Sequence, residues 1–288
     1  MYVDPWILAS KLLEWVYEDA PFGDVTSETL IDPNTQVEAL VIAKSRGIAA
    51  CTNLLASALR VLGFSVRTFV NDGSEFDAGS EILSIYGSAR RILLFERTLL
   101  NLMMLLFGIA TKTRRLVNIV KSVNPRVRVA ATRKVVPGLR YLVKKAVEVG
   151  GGDTHRFSLS DAILIKDNHI AIIGDVEKAI LLARQRASFV RKIEVEVSTV
   201  EDAVKAAKAG ADVVMLDNMD VKQVATAIRL LEDLGLRDKV IIEVSGGIDE
   251  DNIVDYARAS PDVISTSSIT MRPDKIDLSL EIKRVGVG

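Results

Sequence analysis

Six short apolar runs in the second half of the chain each stop at a polar or glycine cluster. Val127–Ala131 ends at Thr132-Arg133-Lys134, Ile163–Ile165 at Lys166-Asp167-Asn168-His169, and Ile193–Val195 at Glu196. Val213–Leu216 ends at Asp217-Asn218, Ile241–Val244 at Ser245-Gly246-Gly247, and Val263–Ile264 at Ser265-Thr266-Ser267-Ser268. Helical patterns separate most of these runs, so they read as buried parallel strands in βα units. Six strands are too few to close a β/α barrel. The pattern therefore predicts an open, incomplete barrel over residues 113–271.

The first 112 residues lack that rhythm. Asp4 and Pro5 read as the N-cap and first position of a helix whose apolar face is Ile7, Leu8, Leu12 and Val16. Val37–Ala43, Phe64–Val70 and Glu81–Tyr86 read as strands, and Leu54–Leu62 as a helix closed by Gly63. Strands mixed with helices suggest an α+β domain. Ala89–Val123 is one long helical region, with a break expected near Gly108, leading from the first domain to the second. The tail, 272–288, is expected to pack back on the first domain.

Composition narrows the function classes. The chain has 288 residues, 49% of them hydrophobic and 26% charged, which is globular. Its net charge of −1 gives no global attraction for nucleic acid or an anionic membrane. Anion binding must come from local clusters. Cys51 is the only cysteine, so no intrachain disulfide or multi-cysteine metal site can form. The start lacks a basic n-region, so no secretory signal is expected. The apolar stretch Thr98–Thr111 lies between Arg97 and Lys112 and is too short to span a bilayer. A soluble cytoplasmic protein is expected.

In a β/α barrel, catalytic groups sit at the carboxyl ends of several strands. Arg133, Lys134 and Lys166 occupy such ends, and His155-Arg156 follows Gly150-Gly151-Gly152. Together they would form a pocket for carboxylate or phosphate; singly they could be solvated loop charges. Glu196 and Asp217 end consecutive strands. They suit either Mg²⁺ or simple ion pairs. Glu194 shares a side of its strand with Glu196 and could pair with Lys166 deeper down. Ser245-Gly246-Gly247, before a helical pattern, could cradle a phosphate. Gly150 is better read as a helix end. With only His155 and His169 and no cysteine cluster, a zinc site is improbable. His155 is the better substrate contact, and His169 a local hydrogen-bonding group.

These clusters occur in an order that resembles the quinolinate phosphoribosyltransferase family. The resemblance rests on Asp19–Thr26, Glu96-Arg97-Thr98 with Asn101, and Thr132-Arg133-Lys134 with Pro137-Gly138-Leu139-Arg140. It continues through Gly150-Gly151-Gly152 with His155-Arg156, Leu164–His169, Glu194-Val195-Glu196, Met215–Asn218 and Glu243–Ile248. It implies an α/β sandwich domain followed by an open α/β barrel. The implied reaction joins quinolinate to 5-phosphoribosyl 1-diphosphate, giving nicotinate mononucleotide, CO₂ and pyrophosphate, with Mg²⁺ required. It further implies a homodimer in which Arg97 enters the neighbour's site, with a hexamer of three dimers as a larger form. Arg133, His155 and Arg156 would contact the pyridine dicarboxylate. Lys134 and Lys166 would contact carboxylate or pyrophosphate. Glu196 and Asp217 would face the ribose and the metal. Ser245, Gly246, Gly247 and Ser267 would hold the phosphate.

The chain departs from the family pattern at Ala131, where Asp is usual, and at Thr154, where Asn is usual. It also carries Ser267 in place of Gly and Met271 in place of His. These changes leave room for altered pyridine specificity, so a nicotinate phosphoribosyltransferase is the nearest alternative. A Schiff-base aldolase using Lys166 and a non-catalytic binding module are more distant ones.

Overall fold

A computed structural model describes residues 4–286. The chain divides into two compact units: residues up to Lys112 with Tyr141–Gly150 and the segment from Pro273 on, and Thr113–Arg140 with Gly151–Arg272.

The first unit contains β1 (Gln36–Ala43), β2 (Gly47–Ile48), β3 (Ser65–Thr68), β4 (Glu75–Phe76) and β5 (Glu81–Ser88). Its antiparallel sheet has the order β12-β1-β5-β3, where β12 is Leu278–Gly286. The tail thus supplies an edge strand along β1. The helix Pro5–Asp19 begins as its sequence dictates, with the Asp4 carboxylate accepting from the Trp6 amide. Its buried face is Leu8, Ala9, Leu12 and Val16, whereas Ile7, expected inside, is 63% exposed.

Two further expectations are corrected. Ala89–Val123 is a single unbroken helix of 35 residues. Gly108 does not break it; a Cβ there would lie 2.2 Å from the Asp274 carbonyl oxygen, so glycine permits a close backbone approach. This helix is long and apolar enough to cross a membrane by length and composition alone. However, Leu99, Leu100, Met103, Leu106 and Phe107 along it are fully buried, which is the pattern of a core helix. The segment Tyr141–Gly150 groups with the first unit although it follows a barrel strand in sequence. Its buried face includes Leu142, Val143, Ala146 and Val147, and the Leu142 carbonyl meets the buried Cys51 thiol.

The second unit contains β6 (Arg128–Ala130), β7 (Ile163–Ile165), β8 (Ile193–Val197), β9 (Val213–Asp217), β10 (Ile241–Ser245) and β11 (Val263–Ser265). All six form one parallel sheet in the order β6-β11-β10-β9-β8-β7. Among the described residues the end strands β6 and β7 do not pair, so the barrel is open. The helices after β8 and β9 start at Thr199 and Asp220, whose side chains accept from the Asp202 and Gln223 amides.

Candidate active site

The carboxyl ends of these strands surround a cavity of about 380 Å³. Arg133 and Lys134 follow β6, Lys166 follows β7, Glu196 lies on β8, and Asp217 ends β9. Ser245 ends β10, Gly246 and Gly247 follow it, and Ser267 follows β11. His155 and Arg156 reach the same cavity from the loop after Gly151 and Gly152. Eleven of the twelve residues singled out from the sequence therefore share one space. Arg97 is not among the lining residues; its side chain is 61% exposed and its Nη2 lies 3.2 Å from Glu96.

The cavity concentrates cations. Burial and the neighbouring Arg133 charge lower the Arg156 pKa. Among the described residues Arg133 Nε is buried with no hydrogen-bond partner. Two guanidinium groups crowded at a cavity wall lose stability by mutual repulsion and gain it back from an anion.

The carboxylates are opposed to one another as well. Glu196 accepts from Lys166 Nζ, so the deeper Glu194–Lys166 pair expected from the sequence is replaced by this one. Glu194 instead faces His155, with its Oε1 3.4 Å from His155 Nε2. Burial, followed by the Glu196 charge, raises the Asp217 pKa against the opposing effects of Asn218, Lys166 and Lys134. Two hard oxygen donors held close enough to repel, beside an anion pocket, fit a divalent cation such as Mg²⁺.

The glycine turn has two distinct halves. Gly246 (φ 92°) has no room for a side chain: a Cβ would lie 2.6 Å from the Asn218 backbone nitrogen, which itself donates to the Ser245 carbonyl. Gly247 (φ 61°) faces open space, with nothing within 4 Å of its Cβ position. Gly246→Ala is expected to destabilise the protein by at least about 1–3 kcal/mol, seen as a lower Tm. Gly247→Ala should cost less stability but raise the KM for the phosphorylated substrate, because its methyl group enters the cavity. Equal Tm losses in the two variants would contradict this division. A further anchor joins the last turn to the first: the Thr270 hydroxyl donates to the Lys134 carbonyl at 2.6 Å.

Sequence reasoning missed Glu243, Asn218, Thr266 and Arg272, all of which line the cavity. Glu243 carried a signal, being a charge inside an apolar strand at the same parity as Ser245. Arg272 carried none. Its position depends on the turn after β11, where it lies 3.6 Å from Asp249.

Residues 24–107 match the quinolinate phosphoribosyl transferase N-terminal domain, and 109–281 match its C-terminal domain. The chain belongs to the quinolinate phosphoribosyl transferase family. It is 46% identical over 270 residues to a probable nicotinate-nucleotide pyrophosphorylase [carboxylating] of Methanothermobacter thermautotrophicus, covering 94% of this chain and 97% of that one. The human nicotinate-nucleotide pyrophosphorylase [carboxylating] is 33% identical over 98% of this chain and 94% of its own. The solved nicotinate-nucleotide pyrophosphorylase of Francisella tularensis superposes with a TM-score of 0.88 at 34% identity, covering 98% of each chain. A human nicotinic acid phosphoribosyltransferase shares the fold alone, at 16% identity and a TM-score of 0.59, over 99% of this chain and 75% of that one.

Proposed function

We infer that this chain is a pentosyltransferase of NAD biosynthesis, joining quinolinate to 5-phosphoribosyl 1-diphosphate and releasing CO₂ and pyrophosphate. The observation that carries this reading is the crowded Arg133–Arg156 pair in one cavity with Lys134, Lys166 and the Gly246–Gly247 turn. A pyridine dicarboxylate needs two cationic partners; a phosphoribosyl diphosphate needs several more.

The residues divide the work by position. Arg133 and Arg156 bind the dicarboxylate, and Ser245, Gly246, Gly247 and Ser267 hold the 5′-phosphate. Lys134 and Lys166 stabilise the departing pyrophosphate, an electrostatic role that a preorganised site performs without reorganising. The pyridine nitrogen attacks C1 of the ribose as the C1–oxygen bond to pyrophosphate breaks, and holding both partners in line supplies proximity. The pyridinium ring then takes the electron pair left when the 2-carboxylate departs as CO₂, and a solvent proton replaces it on the ring. Glu196 and Asp217 face the ribose and would hold Mg²⁺ with the substrate. When bound, the ion neutralises charge on the diphosphate.

A homodimer completes this reading, with Arg97 serving the neighbouring subunit and three dimers able to form a hexamer. It is supported by the exposed Arg97 guanidinium and by Trp6, Ile7 and Tyr17, each more than 60% exposed on the first helix. Polar substrates and a single reduced, buried cysteine agree with a cytoplasmic setting.

The test is a paired assay with phosphoribosyl diphosphate and Mg²⁺. Quinolinate should release CO₂ and pyrophosphate in equal amounts, with kcat/KM at least ~10²-fold above that for nicotinate, because the latter leaves one guanidinium unpaired. Turnover of nicotinate without reaction of quinolinate would overturn the reading.

A further inference from the structure

Arg272 brings a further cation to the end of the cavity that holds the glycine turn. It follows the short helix Ser268–Met271 after β11, and its side chain lines the cavity together with Ser245, Gly246 and Gly247. Met271, a departure from the family pattern, is not among the lining residues. The charge comes instead from the next position along the chain.

The backbone that carries Arg272 is strapped to the glycine turn. The Thr266 hydroxyl donates to the Ile248 carbonyl and accepts from the Ser268 amide at 3.0 Å. The Arg272 N–H donates to the Ser268 carbonyl at 3.1 Å. Across the gap, Asn252 ties Asp249 to Gly247. Its Nδ2 donates to the Gly247 carbonyl at 3.0 Å, and its Oδ1 accepts from the Asp249 N–H at 3.0 Å. Both backbones are thus fixed, and Arg272 meets Asp249 two residues beyond Gly247.

The two side chains are held less firmly than the backbones. Arg272 Nη2 lies 3.6 Å from Asp249 Oδ2, beyond hydrogen-bond reach, and the Arg272 side chain is 72% exposed. An exposed pair of this length contributes little. A phosphate monoester carries about two charges and three acceptor oxygens. It can also accept two parallel hydrogen bonds from a guanidinium. An anion seated at Gly247, whose Cβ position faces open space, therefore competes with the Asp249 carboxylate on favourable terms.

We propose that Arg272 is a phosphate ligand, exchanging Asp249 for the 5′-phosphate of the ribosyl donor when the donor binds. Asp249 parks the guanidinium beside the glycine turn, and the phosphate draws it across. The 5′-phosphate is assigned rather than the diphosphate because Arg272 is strapped to the turn that cradles the former. The inference rests on reading the cavity as a phosphoribosyl diphosphate site.

Ribose 5-phosphate and inorganic pyrophosphate are the probes, each titrated calorimetrically into the full-length protein. Arg272→Ala should weaken ribose 5-phosphate about 10-fold and change pyrophosphate less than about twofold. Arg272→Lys, which keeps the charge but loses the fork, should fall between parent and alanine variant. The loss should shrink as salt is raised. Asp249→Asn keeps an acceptor for the Asp251 amide and should tighten ribose 5-phosphate about two- to fivefold. That gain should disappear in the Arg272→Ala background, where no guanidinium is left to release. In turnover, Arg272→Ala should raise the KM for phosphoribosyl diphosphate more than the KM for quinolinate, and more than it lowers kcat. Equal ribose 5-phosphate affinity in the parent and Arg272→Ala, or a loss confined to pyrophosphate, would overturn the proposal. An Asp249→Asn gain that persists without Arg272 would overturn the exchange. If the parent itself binds neither probe, the phosphoribosyl reading fails and this inference with it; equal binding by parent and variant sinks the role of Arg272 alone.

Discussion

Glu196→Ala and Asp217→Ala are each expected to lower kcat by about 10²–10³-fold, the usual cost of removing one preorganised electrostatic group, while the protein stays folded. Stability should survive for different reasons at the two positions. Glu196 is bound by Lys166, whose side chain is 43% exposed, so the lysine left behind can turn to water. Asp217 has a raised pKa through burial and Glu196. Its ionised form is therefore less favoured in the folded chain than in the unfolded one, and it costs stability above its folded pKa. That cost disappears at pH below its unfolded value. Asp217→Ala should consequently match or exceed the parent's Tm at pH 8, and the difference should vanish in acid. Both variants should also need more Mg²⁺ to reach half of their residual rate. Near-normal activity with unchanged Mg²⁺ dependence in both would reduce them to structural charges.

The barrel was legible because its strands are short, apolar and fully covered, so each one stops abruptly at the polar group that faces the mouth. All six runs, from Val127 to Ile264, became strands of one sheet, and the residues following them converged. What stayed hidden depends on contacts between segments far apart in sequence. Gly108 looked like a helix breaker because its partner, the Asp274 carbonyl, arrives from the tail. Glu194 and Glu196 share a strand face, and parity cannot tell which one meets Lys166. That choice follows from depth, since Glu194 lies in register with Leu164 below the lysine. His155 read as a substrate contact because a histidine beside an arginine at a barrel mouth is chemically apt. The structure also sets its ring against Glu243 and the next backbone amide, and neither contact leaves a periodic trace.

Mixing two inactive variants should restore activity if the sites are shared between subunits. Arg97 stands on the helix Ala89–Val123, largely exposed, and among the described residues pairs at the surface with Glu96. Such pairs contribute ~0–1 kcal/mol, so Arg97→Ala should fold normally and the guanidinium is available to a stronger anion. A substrate carboxylate accepts two parallel hydrogen bonds from arginine, a geometry that lysine lacks, so Arg97→Lys should also be impaired. Arg133→Ala removes a cation from the cavity itself. Each variant alone makes a symmetric dimer with two defective sites. After exchange, a mixed dimer holds one site with both defects and one with neither. Random mixing makes half of the dimers mixed, each with one working site of two, so activity should return to about a quarter of the parent's. Mixing Arg97→Ala with Lys166→Ala should give the same recovery, because Lys166 lines the same cavity as Arg133. Mixing Arg133→Ala with Lys166→Ala should give none, because no arrangement of those two chains brings an intact cavity together. Recovery in that control, or none with Arg97→Ala despite demonstrated exchange, would place Arg97 outside the neighbour's site.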